Sequence, residues 1–185
     1  KYFGELNTNN GFIDLLNNFS NISGMILGGA TYNSNTGKFI MFGTDIYSDY
    51  RLWSINTTNG LIESNPLVNH SYLGELQYDV KKNKLYCLYR DISNVYLTYF
   101  AEIDTLTAEP VILNTLYDLS GPICGSSVYD QAKGIFIFKG VDTSQTQRLF
   151  LINSTTGQII SNSPSSDIIR DIKCDNTIFA KEFYQ

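Results

Sequence analysis

The chain has 185 residues, with 13 basic against 18 acidic side chains and a formal net charge of −5. That length suits one ordinary domain with a sizeable core, and the acidic balance excludes a sequence-independent grip on nucleic acid or an anionic membrane surface. No apolar run reaches the ~20 residues of a membrane helix, so no membrane insertion is expected, and 43% hydrophobic with 14% aromatic residues argues against disorder.

In chain order the first predicted element is a hairpin over 2–13 (YFGELNTNNGFI). The apolar spacing of GFIDLLNNF (11–19) also suits a helical turn. The matching stretches LIESNPLV and PVILNTL hold Pro66 and Pro110 and read as extended, so a strand is expected there. A second kind of hairpin follows over 29–43 (GATYNSNTGKFIMFG), and LWSINTTNGLI (52–62) then repeats the first kind. The pair recurs at 75–89 (ELQYDVKKNKLYCLY) with 100–112 (FAEIDTLTAEPVI), and at 126–140 (SSVYDQAKGIFIFKG) with 149–160 (LFLINSTTGQII). RDIKCDNTIFAKEF (170–183) is a degenerate further copy, with Cys174 standing where Tyr32, Tyr78 and Tyr129 stand.

Each hairpin follows from its turn chemistry. Asn or Asp accepts hydrogen bonds within its own turn, Gly supplies positive φ, and β-branched and aromatic residues fill the pleated flanks. Leu6, Ile55, Ile103 and Ile152 occupy one repeat position, spaced 49, 48 and 49 residues apart. One unit is therefore two hairpins, four strands A to D. The fourth unit is split, with strands A and B expected from 167–185 and strands C and D from 2–20. Joining the two halves hides edges that otherwise invite aggregation.

The hydroxyl-rich turn between strands C and D, opened by Asn or Asp and mostly ending in Gly, resembles the Ile-Asp-x-x-Thr-Gly turn of β-propeller repeats of the YVTN and quinoprotein-like kind. The resemblance implies an all-β, four-bladed β-propeller with blades over about 22–69, 70–118 and 119–166, and a split blade of 167–185 plus 1–21. It implies fold rather than activity, and no cofactor residues are matched, so no cofactor is expected. A slice of a larger propeller remains the alternative. The chain opens on Lys1 rather than Met, which reads as a processed chain or a stretch of a longer one.

Strand A of each blade is expected to line the central channel, at 28–30, 74–76, 125–127 and 170–172. Glu75, Arg170 and Asp171 are the charges there, as a channel ion site or as a mutually compensating set. The recurrent polar feature is an aspartate 13 residues after each repeat tyrosine: Asp45, Asp91 and Asp142. All three fall at the B–C turn, on one face of the ring. Tyr47, Asp49, Tyr50, Arg90, Asn94, Tyr96, Gln145 and Arg148 surround them. Carboxylates that fork onto hydroxyl pairs, with Tyr faces that stack on apolar ring surfaces, are the chemistry that grips a sugar or a peptide. Asp45, Asp91, Asp142, Tyr47, Tyr50, Arg90 and Arg148 are the candidate binding residues. The bland reading is that each Asp only caps its own turn.

Catalysis and metals find little support. His70 is the sole histidine, and Cys87, Cys124 and Cys174 show no C-x-x-C spacing, so neither a triad nor a zinc framework is expected. Three reduced thiols, or one disulfide with a spare thiol, are both compatible with that count. Five N-x-S/T sequons, at Asn18, Asn21, Asn56, Asn69 and Asn153, point to an extracellular or cell-surface glycoprotein. The functional expectation is a non-catalytic recognition module for a glycan or protein. A structural subunit of a surface coat or filament, self-associating through strand or blade contacts, is the alternative, and a carboxylate-based glycoside hydrolase is the third.

Overall fold

The computed structural model describes residues 1–69, 71–91 and 97–165. Among these, four antiparallel sheets form. The first is a two-stranded pair, β1 (Tyr2–Leu6) with β2 (Ile13–Asn18). Three four-stranded sheets follow in chain order. Blade 1 is β3 (Ile22–Asn33), β4 (Lys38–Asp45), β5 (Tyr50–Asn56) and β6 (Ile62–Ser64). Blade 2 is β7 (Ser71–Asp79), β8 (Lys84–Asp91), β9 (Tyr99–Ile103) and β10 (Pro110–Thr115). Blade 3 is β11 (Leu119–Asp130), β12 (Ile135–Asp142), β13 (Gln147–Asn153) and β14 (Ile159–Pro164). Within each blade the strands pair in sequence order.

Each blade is apolar on both faces, and the strand period of two decides which neighbour a side chain meets. Along β4, Phe39 and Met41 pack with Phe3 of the two-stranded sheet and with Phe19 just after it, whereas Ile40 and Phe42 pack against Leu85, Cys87 and Ala101 of blade 2. Along β8 the same alternation sends Tyr86 and Leu88 to Phe136, Phe138 and Phe150 of blade 3. Burial on both faces explains the near-continuous apolar runs of the B and C strands in blades 1 and 2, while in blade 3 Phe136, Phe138, Phe150 and Ile152 are buried and Ile137, Leu149 and Leu151 only half-buried.

The first strand of each blade is innermost: β7 lies against both β3 and β11, and β11 also touches β3. All three carry a register shift at mid-length, between Met25 and Ala30, Gly74 and Gln77, and Pro122 and Ser127. Such bulges bend strands that converge on one axis.

The repeated turn between the third and fourth strands is built alike in all four sheets. Gly11, Gly60, Ala108 and Gly157 each take positive φ and donate N–H to the carbonyl of Asn7, Asn56, Asp104 and Asn153, each at 2.8 Å. The side-chain oxygens of those four residues accept backbone N–H groups within the turn. Neighbouring sheets also meet by one recurring contact. Asn17 of β2 donates to the Gly60 carbonyl at 2.8 Å, and Asn114 of β10 donates to the Gly157 carbonyl at 2.9 Å. The two-stranded sheet therefore sits against blade 1 as blade 2 sits against blade 3, in the place of a blade's outer strands. The 167–185 half of the expected split blade lies outside the described residues, as do His70 and Cys174. Cys87 is a buried free thiol and Cys124 an exposed one.

Candidate functional site

Antiparallel order puts the turn between second and third strands, and the connection between blades, at one end of every sheet. Asp45 closes that turn in blade 1. Its Oδ1 accepts the N–H groups of Tyr47 at 2.8 Å and Asp49 at 3.0 Å, and its Oδ2 accepts Arg51 Nε at 2.7 Å. Arg51 Nη1 then reaches the Asn65 carbonyl at 3.1 Å. Blade 3 repeats the device: Asp142 accepts Ser144 N–H, Thr146 N–H and Arg148 Nε, while Arg148 Nη1 donates to the Asn162 carbonyl at 2.9 Å. Ser48 and Gln145 supply the left-handed residue of the two turns, at φ 68° and 62°.

Both carboxylates are thus engaged on both oxygens and nearly buried, at 4% and 6% exposure. The Arg51 guanidinium beside Asp45, and Arg148 beside Asp142, hold these carboxyls below the ordinary carboxylate value. The geometry is that of a clamp tying three strands together at their ends. Arg51 is the partner that sequence reading passed over. Its signal was present, since Arg51 and Arg148 each stand six residues after their aspartates.

Blade 2 departs from this pattern. Asp91 is half-buried and hydrogen-bonded, but Leu97 stands where the arginine would be. Arg90 takes a different course, donating from Nε to Thr98 Oγ1 at 3.0 Å and from Nη2 to the Ser120 carbonyl of blade 3 at 2.9 Å. A cleft of about 310 Å³ between blades 2 and 3 is lined by Arg90, Ser120, Pro122, Cys124 and Gln145 among others. Tyr50 turns inward and stacks on Phe42 at 5.2 Å. Tyr47 points out, 78% exposed, and Tyr117 between blades 2 and 3 is 73% exposed. Asn94 and Tyr96 lie outside the described residues.

At the axis, Glu75 is buried in the β7 bulge with φ 55°. Its Oε1 accepts Gly125 N–H of β11 at 2.7 Å, and its Oε2 has no hydrogen-bond partner among the described residues. Burial pushes this carboxyl above the ordinary value of 4.5, against the opposing pull of Ser127 and of the Gly125 and Ser126 amides. Nearby, the Tyr72 hydroxyl lies 4.0 Å from Cys124 Sγ, and burial with that thiol raises the phenol to about 12. Arg170 and Asp171 lie outside the described residues. Among those residues, no group of three or more His, Cys, Asp or Glu side chains is arranged to hold a metal ion.

The Glu75 environment has a measurable consequence. A carboxyl whose folded-state pKa is raised contributes stability that is complete below pH 4.5 and is lost as pH climbs toward the folded-state value. Asp45 and Asp142, with lowered values, contribute in the opposite sense, and their share is lost as pH falls below the ordinary range. Glu75→Gln, which removes the titrating group, is expected to flatten the loss of stability above pH 4.5. Urea melts between pH 4 and 8 measure this, and identical profiles for the two proteins refute it.

Of the sequon asparagines, Asn18 and Asn69 are exposed and Asn21 half-buried. Asn56 and Asn153 belong to the repeated turns, where Asn56 Nδ2 donates to Glu63 Oε1 at 2.9 Å.

The chain matches no protein-family model, and no curated protein matches it in sequence. Solved structures do resemble it. An oligogalacturonate lyase in complex with manganese superposes over 94% of this chain with a TM-score of 0.58 at 12% identity. The β-propeller domain of the Trilobed protease from Pyrococcus furiosus, described as having an open velcro topology, superposes over 79% with a TM-score of 0.50 at 8% identity. The chain spans 44% of the length of either. At such identities the likeness is one of fold: three four-stranded antiparallel sheets set around an axis with their first strands innermost, and a two-stranded sheet beside blade 1, a β-propeller.

Proposed function

We propose that the chain is a non-catalytic extracellular propeller module that recognises a glycan or a protein at the end of the blades bearing the Asp45 and Asp142 turns. The observation that carries this reading is Tyr47. Its ring is exposed, yet its backbone is held by the Asp45 carboxylate, by the Asp45 N–H bond to the Asp49 carbonyl and by the Ser48 N–H bond to the Asp45 carbonyl, both 3.0 Å. An aromatic face presented on a pre-ordered turn loses little entropy when a sugar ring or an apolar side chain stacks on it. The aspartates act by shaping the turn. Arginine-locked carboxylates remain ionised near neutral pH, which is opposite to what a general acid in glycoside hydrolysis needs.

Tyr47→Ala is expected to weaken binding at least about tenfold on a glycan array or in pull-down from a surface extract, with an unchanged melting temperature. Asp45→Ala should weaken the same binding by releasing the turn. Retention of full affinity in Tyr47→Ala defeats the reading.

One observation favours assembly into a coat or filament as a second reading. Tyr2, Leu6, Ile13 and Leu15 form an exposed apolar face of the two-stranded sheet, between 59% and 71% exposed. Unpaired apolar faces of this kind mark interaction sites, and a particle mass that rises with concentration is the signature of that role.

A further inference from the structure

Two of the four repeated turns carry the dipeptide Asn-Gly, as Asn10–Gly11 and Asn59–Gly60, where the other two have Thr107–Ala108 and Thr156–Gly157. The residue before the positive-φ position has the same task in each turn: its side-chain oxygen accepts a backbone N–H further along. Asn10 and Asn59 accept Phe12 and Leu61 at 3.0 Å, and the Thr107 and Thr156 hydroxyls accept Glu109 and Gln158 at 3.3 Å. An asparagine in that place is open to a reaction that a threonine is not. The backbone nitrogen of the next residue can attack its side-chain amide carbon, and glycine, without a Cβ, hinders the approach least. The Phe12 and Leu61 N–H groups already bond the amide oxygen that gathers negative charge during such an attack.

The attacking nitrogens start engaged, since Gly11 and Gly60 donate N–H to the Asn7 and Asn56 carbonyls at 2.8 Å. Attack therefore needs the turn to open, and packing decides how often it does. Gly60 is buried. A Cβ there would meet Asn17 Cβ at 2.8 Å and Leu16 Cβ at 3.1 Å, and the Gly60 carbonyl accepts Asn17 Nδ2 at 2.8 Å. In the same turn the Thr57 N–H and hydroxyl both donate to the Gly37 carbonyl, at 2.9 and 2.8 Å. Gly11 is exposed, with no atom of the described residues beyond its chain neighbours within 4 Å of the place a Cβ would take, and residues 8–15 are exposed throughout.

We propose that Asn10 is a modification site that converts spontaneously to isoaspartate and aspartate, and that the packing of Gly60 protects Asn59. The Gly11 nitrogen gives its proton to solvent hydroxide and bonds to Asn10 Cγ. The Cγ–Nδ2 bond then breaks, and the amide leaves as ammonia after taking a proton from water. A succinimide ring remains, and water cleaves one of its two C–N bonds. Opening at Cγ restores the main chain and leaves aspartate; opening at the Asn10 backbone carbonyl carries the chain through Cγ as isoaspartate. Either product adds a negative charge to a chain already at −5. Isoaspartate also lengthens the β1–β2 turn by a backbone carbon and displaces the acceptor of the Phe12 N–H. This inference is independent of the recognition reading.

Peptide mass spectrometry of the full chain, held in mildly alkaline buffer and sampled over weeks, tests it. Conversion is expected at least about tenfold faster at Asn10 than at Asn59, with isoaspartate the larger product. In urea that unfolds the chain the two rates should converge, because only the shared dipeptide then matters. Asn17→Ala, which removes the bond to the Gly60 carbonyl, should speed conversion at Asn59 and leave Asn10 unchanged. Asn10→Thr should abolish conversion in the β1–β2 turn while keeping an acceptor for the Phe12 N–H, as Thr156 does for Gln158. Equal rates in the folded chain, faster conversion at Asn59, or an Asn10 preference that persists in urea would each overturn the proposal, the last by assigning the difference to local sequence rather than to packing.

Discussion

Phe138→Ala is expected to lower the free energy of unfolding by about 3–5 kcal/mol. The ring is fully buried, stacks on Phe150 at 5.0 Å with 9° between planes, and lies 6.0 Å from Phe136. It joins Phe150 to a row that continues through Phe136, Phe100 and Tyr86 to Tyr129, with centroids 5.1 to 5.8 Å apart from Phe136 onward, across blades 2 and 3. Rigid rings cannot flow into the space an alanine leaves, so the cavity term adds to the lost transfer energy. Ile112→Ala is the control: at 50% exposure on an outer strand it should cost under about 1 kcal/mol. Denaturant unfolding measures both. A Phe138 cost as small as that of Ile112 would mean that the blades are not close-packed against each other.

The second large effect concerns the polar contact across the same interface. Asp79, 2% exposed, accepts the Lys81 and Lys82 N–H groups on Oδ1 and the Tyr129 hydroxyl on Oδ2. Burial, followed by the bond to Asp79, raises the Tyr129 phenol, so it remains the donor at any working pH. Tyr129 also meets Ser154 Oγ at 2.9 Å, and Lys82 Nζ bonds Thr155 Oγ1 at 2.7 Å. Asp79→Ala strands a buried hydroxyl and two turn amides, and about 3 kcal/mol of destabilisation is expected. Tyr129→Phe should cost about 1–2 kcal/mol, since it removes the hydroxyl while keeping the ring. The double variant should fall short of the sum by about 1 kcal/mol or more. Strict additivity would show that the pair contributes nothing to joining the blades.

Much of the fold was legible because propeller blades record their turns locally. Asn7, Asn56, Asp104 and Asn153 cap their turns with their own side chains, so the four matching hairpins could be found without knowing any distant contact. The strand at Ile13–Asn18 followed from alignment with Pro-containing copies, although its own spacing also fits a helical turn. The candidate site was legible only in part. The recurrence of Asp45 and Asp142 located the right turns, but Arg51 and Arg148 decide what those carboxylates do. Tyr47 and Tyr50 are indistinguishable by residue type, and strand register sends one outward and the other onto Phe42.

The amino-acid order alone determined the repeat, the turn types and the strand pairing within each hairpin, since these depend on groups a few residues apart. Only the tertiary structure decided which polar groups are already satisfied. Asp79 with Tyr129, and Glu75 with Gly125, are each fifty residues apart, and a carboxylate's freedom to meet a ligand depends on partners that folding brings to it through space. Those surroundings set opposite proton affinities for chemically similar groups: the Arg51 guanidinium lowers Asp45, and burial raises Glu75 at the axis.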